Sequence, residues 1–169
     1  MGWNEVEYLN HTDIPWKRRY VAMRENVAVL RKLWAEQEPS FQGEFIRFDP
    51  VWSFPKPVQK PGPKIAVGAA KKLGVAHTAE WGDYWYPLVD SFRDPVQAVK
   101  GFQAACKEKG RDVPIILSSI RPKSYDTLAQ YRDLGVSETV FNPQVDETDH
   151  AGVLRTLDSL AELRRKLAA

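Results

Sequence analysis

The sequence is poor in cysteine and histidine, the residues from which disulfide frameworks and most transition-metal sites are built. Its single cysteine, Cys106, excludes an internal disulfide and any cluster of thiolate ligands. The three histidines, His11, His77 and His150, are too far apart for a regular metal-ligand spacing, so no metal site is predicted. No apolar run approaches the roughly 20 residues of a membrane-spanning helix, and the N-terminus lacks a signal-peptide pattern. We therefore expect a cytoplasmic protein with no membrane partner.

The chain also lacks a strong charge of either sign. Its 24 lysines and arginines against 22 aspartates and glutamates give a formal charge of +2, and no basic block is long. Because nucleic-acid surfaces need concentrated positive charge, no nucleic-acid partner is expected. A chain of 169 residues, 43% of them hydrophobic, is long enough to bury a core as a single domain.

Four prolines between Pro55 and Pro63 divide this domain into residues 1–63 and residues 64–169, because proline fixes φ and removes a backbone donor. Residues 1–14 look irregular, and Asp13 is expected to cap a long helix that ends near Gln37. Apolar residues recur along that helix at steps of three and four, as on one helical face: Tyr20, Met23, Val27, Leu30 and Trp34. Residues 41–48 are predicted to form a short hairpin or an edge ribbon.

Beyond Pro63 the pattern alternates between strand and helix. Strands are predicted at 64–68, 83–88, 113–119 and 138–142, and the helices that follow them at 70–81, 94–109, 124–134 and 150–167. Asp94 and Ser124 are expected N-caps, and Gly110 is expected in a left-handed conformation. The last helix is predicted to share one apolar face among Val153, Leu157, Leu160 and Leu167. Four strand–helix units in succession imply an α/β fold with a parallel sheet and right-handed crossovers.

Several phrases stand in a specific order between residues 2 and 88. They are Gly2-Trp3-Asn4-Glu5, Arg24-Glu25, Leu30-Arg31-Lys32-Leu33-Trp34, Phe41-x-Gly43-Glu44-Phe45, Pro55-Lys56-Pro57-Val58-Gln59 and Gly82-Asp83-x-Trp85-x-Pro87. Together they resemble the luciferase-like monooxygenase superfamily, a group of oxidoreductases that use a flavin or a deazaflavin coenzyme. The resemblance implies hydride transfer or flavin-dependent oxygenation of a small-molecule substrate, with flavin mononucleotide or a deazaflavin as the coenzyme. The alternative is a non-catalytic oligomeric or ligand-binding remnant of that fold, with no coenzyme.

The fold of this family is an eight-stranded α/β barrel, which needs roughly 250 residues. Because the present chain offers four βα units, the resemblance implies a truncated relative that forms half of a TIM-type barrel. A half barrel leaves two open strand edges and an uncovered apolar face. We therefore expect completion by self-association into a homodimer or higher homo-oligomer. There are two alternatives to self-association. The sheet could form an open α/β layer, or another chain could supply the first half of the barrel.

In such barrels function lies in the loops after the carboxyl ends of the strands. This rule selects the turn of Gly68, Ala69, Ala70 and Lys71, and the loops 88–91, 119–124 and 142–144. A turn of small residues that enters a helix lets backbone N–H groups approach a phosphate. In the family this turn contacts the phosphate side of the coenzyme, so the resemblance assigns these four residues to coenzyme binding. Ala69 replaces the family's second glycine, and a tight turn without a ligand is the alternative.

Two further residues and one basic loop are candidates. Trp3 and Asn4 match a family loop that lies near the coenzyme, or are only the start of the chain. Arg121-Pro122-Lys123 follows the third of the four strands and would bind a phosphate or a carboxylate, or form a solvated turn. No nucleophile, base and acid can be assembled, so no catalytic residue is predicted.

Overall fold

The computed structural model describes residues 4–119, 121, 123–142, 146 and 148–168. The chain divides into two compact units, Met1–Pro63 and Lys64–Ala169. No helix in the described ranges is both long enough and apolar enough to span a membrane.

The first unit begins with a helix where irregular structure was predicted. Helix α1 spans Glu5–His11, and the side chain of Asn4 caps it by accepting hydrogen bonds from the N–H groups of Val6 and Glu7 at 3.1 and 3.3 Å. The prediction was wrong because an Asn cap followed by acidic residues in the first turn stabilises even a short helix.

Helix α2 spans Arg19–Ala35 and follows a 3-10 turn at Trp16–Arg18. The long helix is therefore confirmed, but Asp13 is not its cap, since no side chain caps the helix and Pro15 precedes the 3-10 turn. Trp16 itself packs edge-on against Tyr8 of α1, with ring centroids 5.4 Å apart.

The predicted hairpin is present. Strands β1 (Phe41–Gln42) and β2 (Arg47–Phe48) pair antiparallel, and Phe41 lies opposite Phe48. The turn between them is held by a residue of α2: the Glu25 carboxylate accepts hydrogen bonds from the N–H groups of Glu44, Phe45 and Ile46, at 2.7, 2.9 and 3.1 Å.

The second unit contains the four predicted strand–helix units in order. They are β3 (Ala66–Val67) with α3 (Lys72–Trp81), β4 (Tyr84–Trp85) with α4 (Pro95–Glu108), β5 (Ile116–Ser119) with α5 (Tyr125–Asp133), and β6 (Glu138–Phe141) with α6 (His150–Ala168). The pairs β3–β4 and β5–β6 are parallel. Parallel bridges from Trp85 to Ile115 and from Leu88 to Ser118 join the two pairs. The strands therefore lie in the order β3, β4, β5, β6, and the unit has an α/β fold.

Local sequence rules explain how these helices begin and end. The side chains of Asp94 and Ser124 cap α4 and α5 as predicted. Gly110 and Gly135 end the same helices at φ values of 64° and 82°, a conformation that favours glycine.

The core of this unit is built on Trp85, which is fully buried and stacks on Phe102 with ring centroids 4.4 Å apart. Cys106 is buried beside them, and burial raises the pKa of its thiol.

In α6 the predicted inward position of Leu157 is wrong. Its side chain is 54% exposed, whereas Leu163 and Leu167 pack against the core.

Candidate functional site

A pocket of about 370 Å³ opens at the carboxyl ends of β3, β4 and β5. Its lining consists of Gly68, Ala69, Ala70, Tyr86, Leu88, Ser91 and Ser118. Three of the four residues of the predicted turn 68–71 thus line the pocket. Leu88 and Ser91 belong to the loop 88–91, which the sequence also selected. Its volume falls in the range of about 300–1,000 Å³ that is typical of small-molecule sites.

The wall of this pocket is anchored in the core. The indole Nε1 of Trp85 donates a 2.7 Å hydrogen bond to the carbonyl of Ala69. The methyl group of Ala69 also fills the space beside Gly74 of α3, where an added Cβ would come within 2.5 Å of it. The turn is therefore held from both sides by packing and hydrogen bonding.

The conformation of the turn suits the alanine that stands in it. Among the described residues, only Gly110 and Gly135 have φ in the left-handed region, and neither belongs to the turn. A Cβ added to Gly68 would meet one atom within 4 Å, the carbonyl oxygen of Tyr86 at 3.4 Å. Ala69 therefore imposes no backbone penalty here.

Lys71 is the N-cap residue of α3, and no side chain caps this helix. The other three helices of the second unit are each capped by a side chain: Asp94 in α4, Ser124 in α5, and Asp149, which accepts from the N–H of Gly152, in α6. The first turn of α3 also lacks acidic residues. The first N–H groups of α3 and the partial positive charge of its N-terminus are thus available to an anion. They directly follow Ala70 of the pocket wall.

A polar cluster joins the loops that follow β4 and β5. The Asp90 carboxylate lies 2.5 Å from Lys123 Nζ and 3.0 Å from Ser119 Oγ. Ser119 is fully buried, and its hydroxyl also lies 2.8 Å from the carbonyl of Arg121. Burial, and then the negative charge of Asp90, raise the pKa of Tyr131 in the adjacent core. Lys123 of the predicted basic loop is therefore engaged by Asp90, and Pro122 lies outside the described residues.

The remaining sequence candidates are Trp3, Asn4 and the three histidines. Trp3 is outside the described residues, and the Asn4 side chain caps α1 in the first unit. His11 ends α1, His150 begins α6, and His77 in α3 lies 3.8 Å from the carboxylate of Glu80. Within the described ranges, no three His, Cys, Asp or Glu side chains are grouped in a way that would hold a metal ion.

Sequence reasoning missed Tyr86 and Ser118 in the pocket. Both lie at the ends of strand segments, and their convergence depends on the parallel bridge between Leu88 and Ser118. The periodicity of a single strand carries no information on that register.

Comparison with known proteins places this chain in a family. The profile of the luciferase-like monooxygenase family matches residues 1–149. An uncharacterized protein of Mycobacterium tuberculosis (strain H37Rv) is 33% identical over 154 residues, which are 89% of this chain and 53% of the relative. Pyrimidine monooxygenase RutA of Allorhizobium ampelinum is 32% identical over 127 residues, which are 69% of this chain and 33% of that protein.

One further relative is named as a monooxygenase, and one solved structure shares the fold. The FMNH2-dependent dimethylsulfone monooxygenase of Pseudomonas putida is 26% identical over 117 residues, 68% of this chain and 32% of that enzyme. The crystal structure of DmoA from Hyphomicrobium sulfonivorans superposes with a TM-score of 0.52 at 16% identity, over 73% of this chain and 32% of that one. The chain thus spans about half the length of its mycobacterial relative and about a third of these others. With a family profile that matches most of its length, the chain belongs to the luciferase-like monooxygenase family.

Proposed function

We propose that this chain binds a flavin coenzyme, flavin mononucleotide, and works in a flavin-dependent oxidoreductase or monooxygenase reaction on a small molecule. Two observations support the proposal. The chain belongs to the luciferase-like monooxygenase family, and one relative is named as FMNH2-dependent. The uncapped N-terminus of α3, next to the pocket formed by Gly68, Ala69 and Ala70, is the single structural observation that carries it.

The residues fit the phosphate end of such a coenzyme. The N–H groups of the first turn of α3 are donors without a side-chain cap, and Lys71 and Lys72 add positive charge beside them. The other three helices of the unit already hold a side-chain oxygen at the same place. A phosphate would give α3 the acceptor that its sequence does not supply.

The pocket lining is suited to binding and orientation. It offers backbone groups, two hydroxyls from Ser91 and Ser118, the Tyr86 side chain and the apolar Leu88. Among the residues that the structure describes, no carboxylate, imidazole or amine lines it. A bound flavin would supply the redox chemistry of hydride transfer or oxygenation. The chain's own residues would hold the coenzyme, shield it on one side and present the substrate. A deazaflavin coenzyme would use the same phosphate-binding turn.

Binding can be tested by titrating flavin mononucleotide and following the quenching of its fluorescence. Gly68→Leu should abolish binding, because the new side chain enters the pocket while its Cβ meets only the Tyr86 carbonyl at 3.4 Å. Gly101→Leu is the matched control, since an added Cβ there meets nothing within 4 Å and Gly101 lies on the exposed side of α4. Equal affinity of the two variants would contradict the proposal.

A non-catalytic ligand-binding function is the second candidate. It is favoured by the described part of the pocket lining, which contains no carboxylate, imidazole or amine. Turnover of a reductant by the flavin-loaded protein would support the enzyme, and flavin binding without turnover would support the second candidate.

We also propose that the four βα units correspond to half of the family's barrel, and that two or more copies associate to cover the open edge of the sheet. The order β3, β4, β5, β6 supports this proposal.

A further inference from the structure

Two serines that line the pocket are next in sequence to residues of the polar cluster. Ser91 follows Asp90 in the loop after β4, and Ser118 precedes Ser119 at the end of β5. Successive side chains of a strand point to opposite faces of the sheet. Ser118 therefore faces the pocket, while Ser119 faces the other side of the sheet and is fully buried there. The end of β5 thus carries one residue of the pocket and one residue of the cluster.

The backbone joins β5 to the loop after β4 as far as Leu88. The N–H of Ser118 donates to the carbonyl of Pro87 at 3.0 Å, and Leu88 and Ser118 form a parallel bridge. The loop then forms a 3-10 turn at Val89–Ser91, in which the N–H of Ser91 donates back to the carbonyl of Leu88 at 3.0 Å. A local bond of this kind fixes the shape of the turn but does not fix the turn against β5.

Asp90 supplies a side-chain link between this turn and β5. Its carboxylate lies 3.0 Å from the hydroxyl oxygen of Ser119, the last residue of β5, and 2.5 Å from Lys123 Nζ in the loop that follows. The side chains of Lys123 and Asp90 are 25% and 30% exposed. The ion pair is therefore partly shielded from water, which strengthens it relative to a pair on the open surface.

We propose that Asp90 is a positioning residue for the pocket: its carboxylate holds the turn after β4 against β5 and so fixes the spacing of Ser91 and Ser118. Asp90 acts through Ser119 and Lys123, and it is not among the described residues of the pocket lining. Lys123 of the predicted basic loop accordingly serves an anion of the chain itself. The consequence for coenzyme affinity rests on the proposed function, whereas the effect on the turn does not.

Hydrogen exchange of the Ser91 amide in the ligand-free protein tests this link, because the exchange of a bonded amide reports how often the turn opens. We expect Asp90→Ala to accelerate the exchange about tenfold or more, the factor that corresponds to the loss of one hydrogen bond to a charged group. Asp149→Ala is the matched control. That carboxylate also accepts one hydrogen bond, from the N–H of Gly152, and pairs with one cation, Arg155, at the start of α6. Equal Ser91 exchange in the two variants would overturn the proposal.

A second variant covers the case in which Asp90→Ala does not fold, as judged by circular dichroism. Ser119→Ala removes one of the two contacts of the Asp90 carboxylate and replaces a buried hydroxyl by a methyl group of similar size. It should accelerate the exchange of the Ser91 amide in the same direction. An unchanged rate in this variant would equally overturn the proposal.

Titration with flavin mononucleotide measures the consequence for the pocket. Asp90→Ala should weaken binding about tenfold, and should weaken it less in a background with Ser91→Ala and Ser118→Ala, because the hydroxyls that it positions are then absent. A general loss of stability would give the same factor in both backgrounds, and such additivity would overturn the positioning role. If the wild type does not bind flavin mononucleotide but Asp90→Ala accelerates the Ser91 exchange, the coenzyme proposal fails and the link between the turn and β5 is supported.

Discussion

The indole of Trp85 donates its N–H to the carbonyl of Ala69 at 2.7 Å, and this bond links the centre of the core to the turn that forms the candidate site. Trp85 is fully buried and its ring stacks on Phe102. A rigid core residue therefore sets the position of the backbone that would meet the coenzyme. Precise placement of this kind is what a phosphate-binding turn requires.

Trp85→Phe tests this link, because it keeps an aromatic ring against Phe102 and removes the donor. Leaving the Ala69 carbonyl without its partner should lower the free energy of unfolding by about 1–3 kcal/mol and weaken flavin binding. Urea unfolding and flavin titration measure the two effects. Trp52→Phe is the control, since Trp52 is 79% exposed and should change stability little. Equal effects at the two positions would contradict the role of the bond.

Gly43→Ala should destabilise the hairpin of the first unit. An added Cβ would lie 2.5 Å from Glu25 Oε2 and 2.6 Å from the Phe41 ring. Because Glu25 is fixed by three backbone N–H groups, relief of the clash costs hydrogen bonds, and a loss of about 1–3 kcal/mol is expected. Thermal unfolding measures it, and the same substitution in a Glu25→Ala background should cost less. Full additivity of the two changes would refute the coupling.

The stability of the chain should depend on the ionisation of Glu25. Desolvation raises the pKa of this carboxyl, but the N–H groups of Phe45, Glu44 and Ile46, with the charge of Arg47, outweigh it and hold the pKa below its ordinary value of 4.5. A lowered pKa contributes stability above the ordinary value, and that contribution is lost as the pH falls through the native pKa. The difference in unfolding free energy between the wild type and Glu25→Gln should therefore shrink below about pH 4.5. A pH-independent difference would show that the charge is not involved.

Asp90→Asn should lower the pKa of Tyr131, because burial and then the Asp90 charge raise it. NMR of ring-labelled tyrosine across an alkaline titration measures the shift. Lys123→Met is the matched control: it removes the ion-pair partner and leaves the negative charge, so the pKa of Tyr131 should not fall. A Tyr131 pKa unchanged by Asp90→Asn would mean that burial alone perturbs the tyrosine.

Helix periodicity and strand–helix alternation were sufficient to predict the architecture of the second unit. The caps Asp94 and Ser124 and the left-handed Gly110 follow from local rules and were predictable. Leu157 was misplaced because helical spacing defines a shared face but not the part of that face that the core covers. Among the described residues, Leu154 and Leu157 of α6 are 62% and 54% exposed.

The candidate site was predictable only where it belongs to one continuous segment. The turn at Gly68 follows from the end of a strand and the start of a helix. The contact of Glu25 with the hairpin and the bond from Trp85 to Ala69 join residues that lie at least 16 positions apart, through backbone groups that every residue carries. Sequence periodicity contains no information on such bonds.

The most direct test of the central claim is the NMR response of the backbone amides of Lys72, Leu73 and Gly74 to flavin mononucleotide. Riboflavin, which lacks the phosphate, serves as the matched ligand. We expect flavin mononucleotide to shift these three amides at the start of α3, and riboflavin to leave them unchanged. Equal shifts with both ligands, or none with either, would contradict the assignment of this turn as the phosphate-binding site.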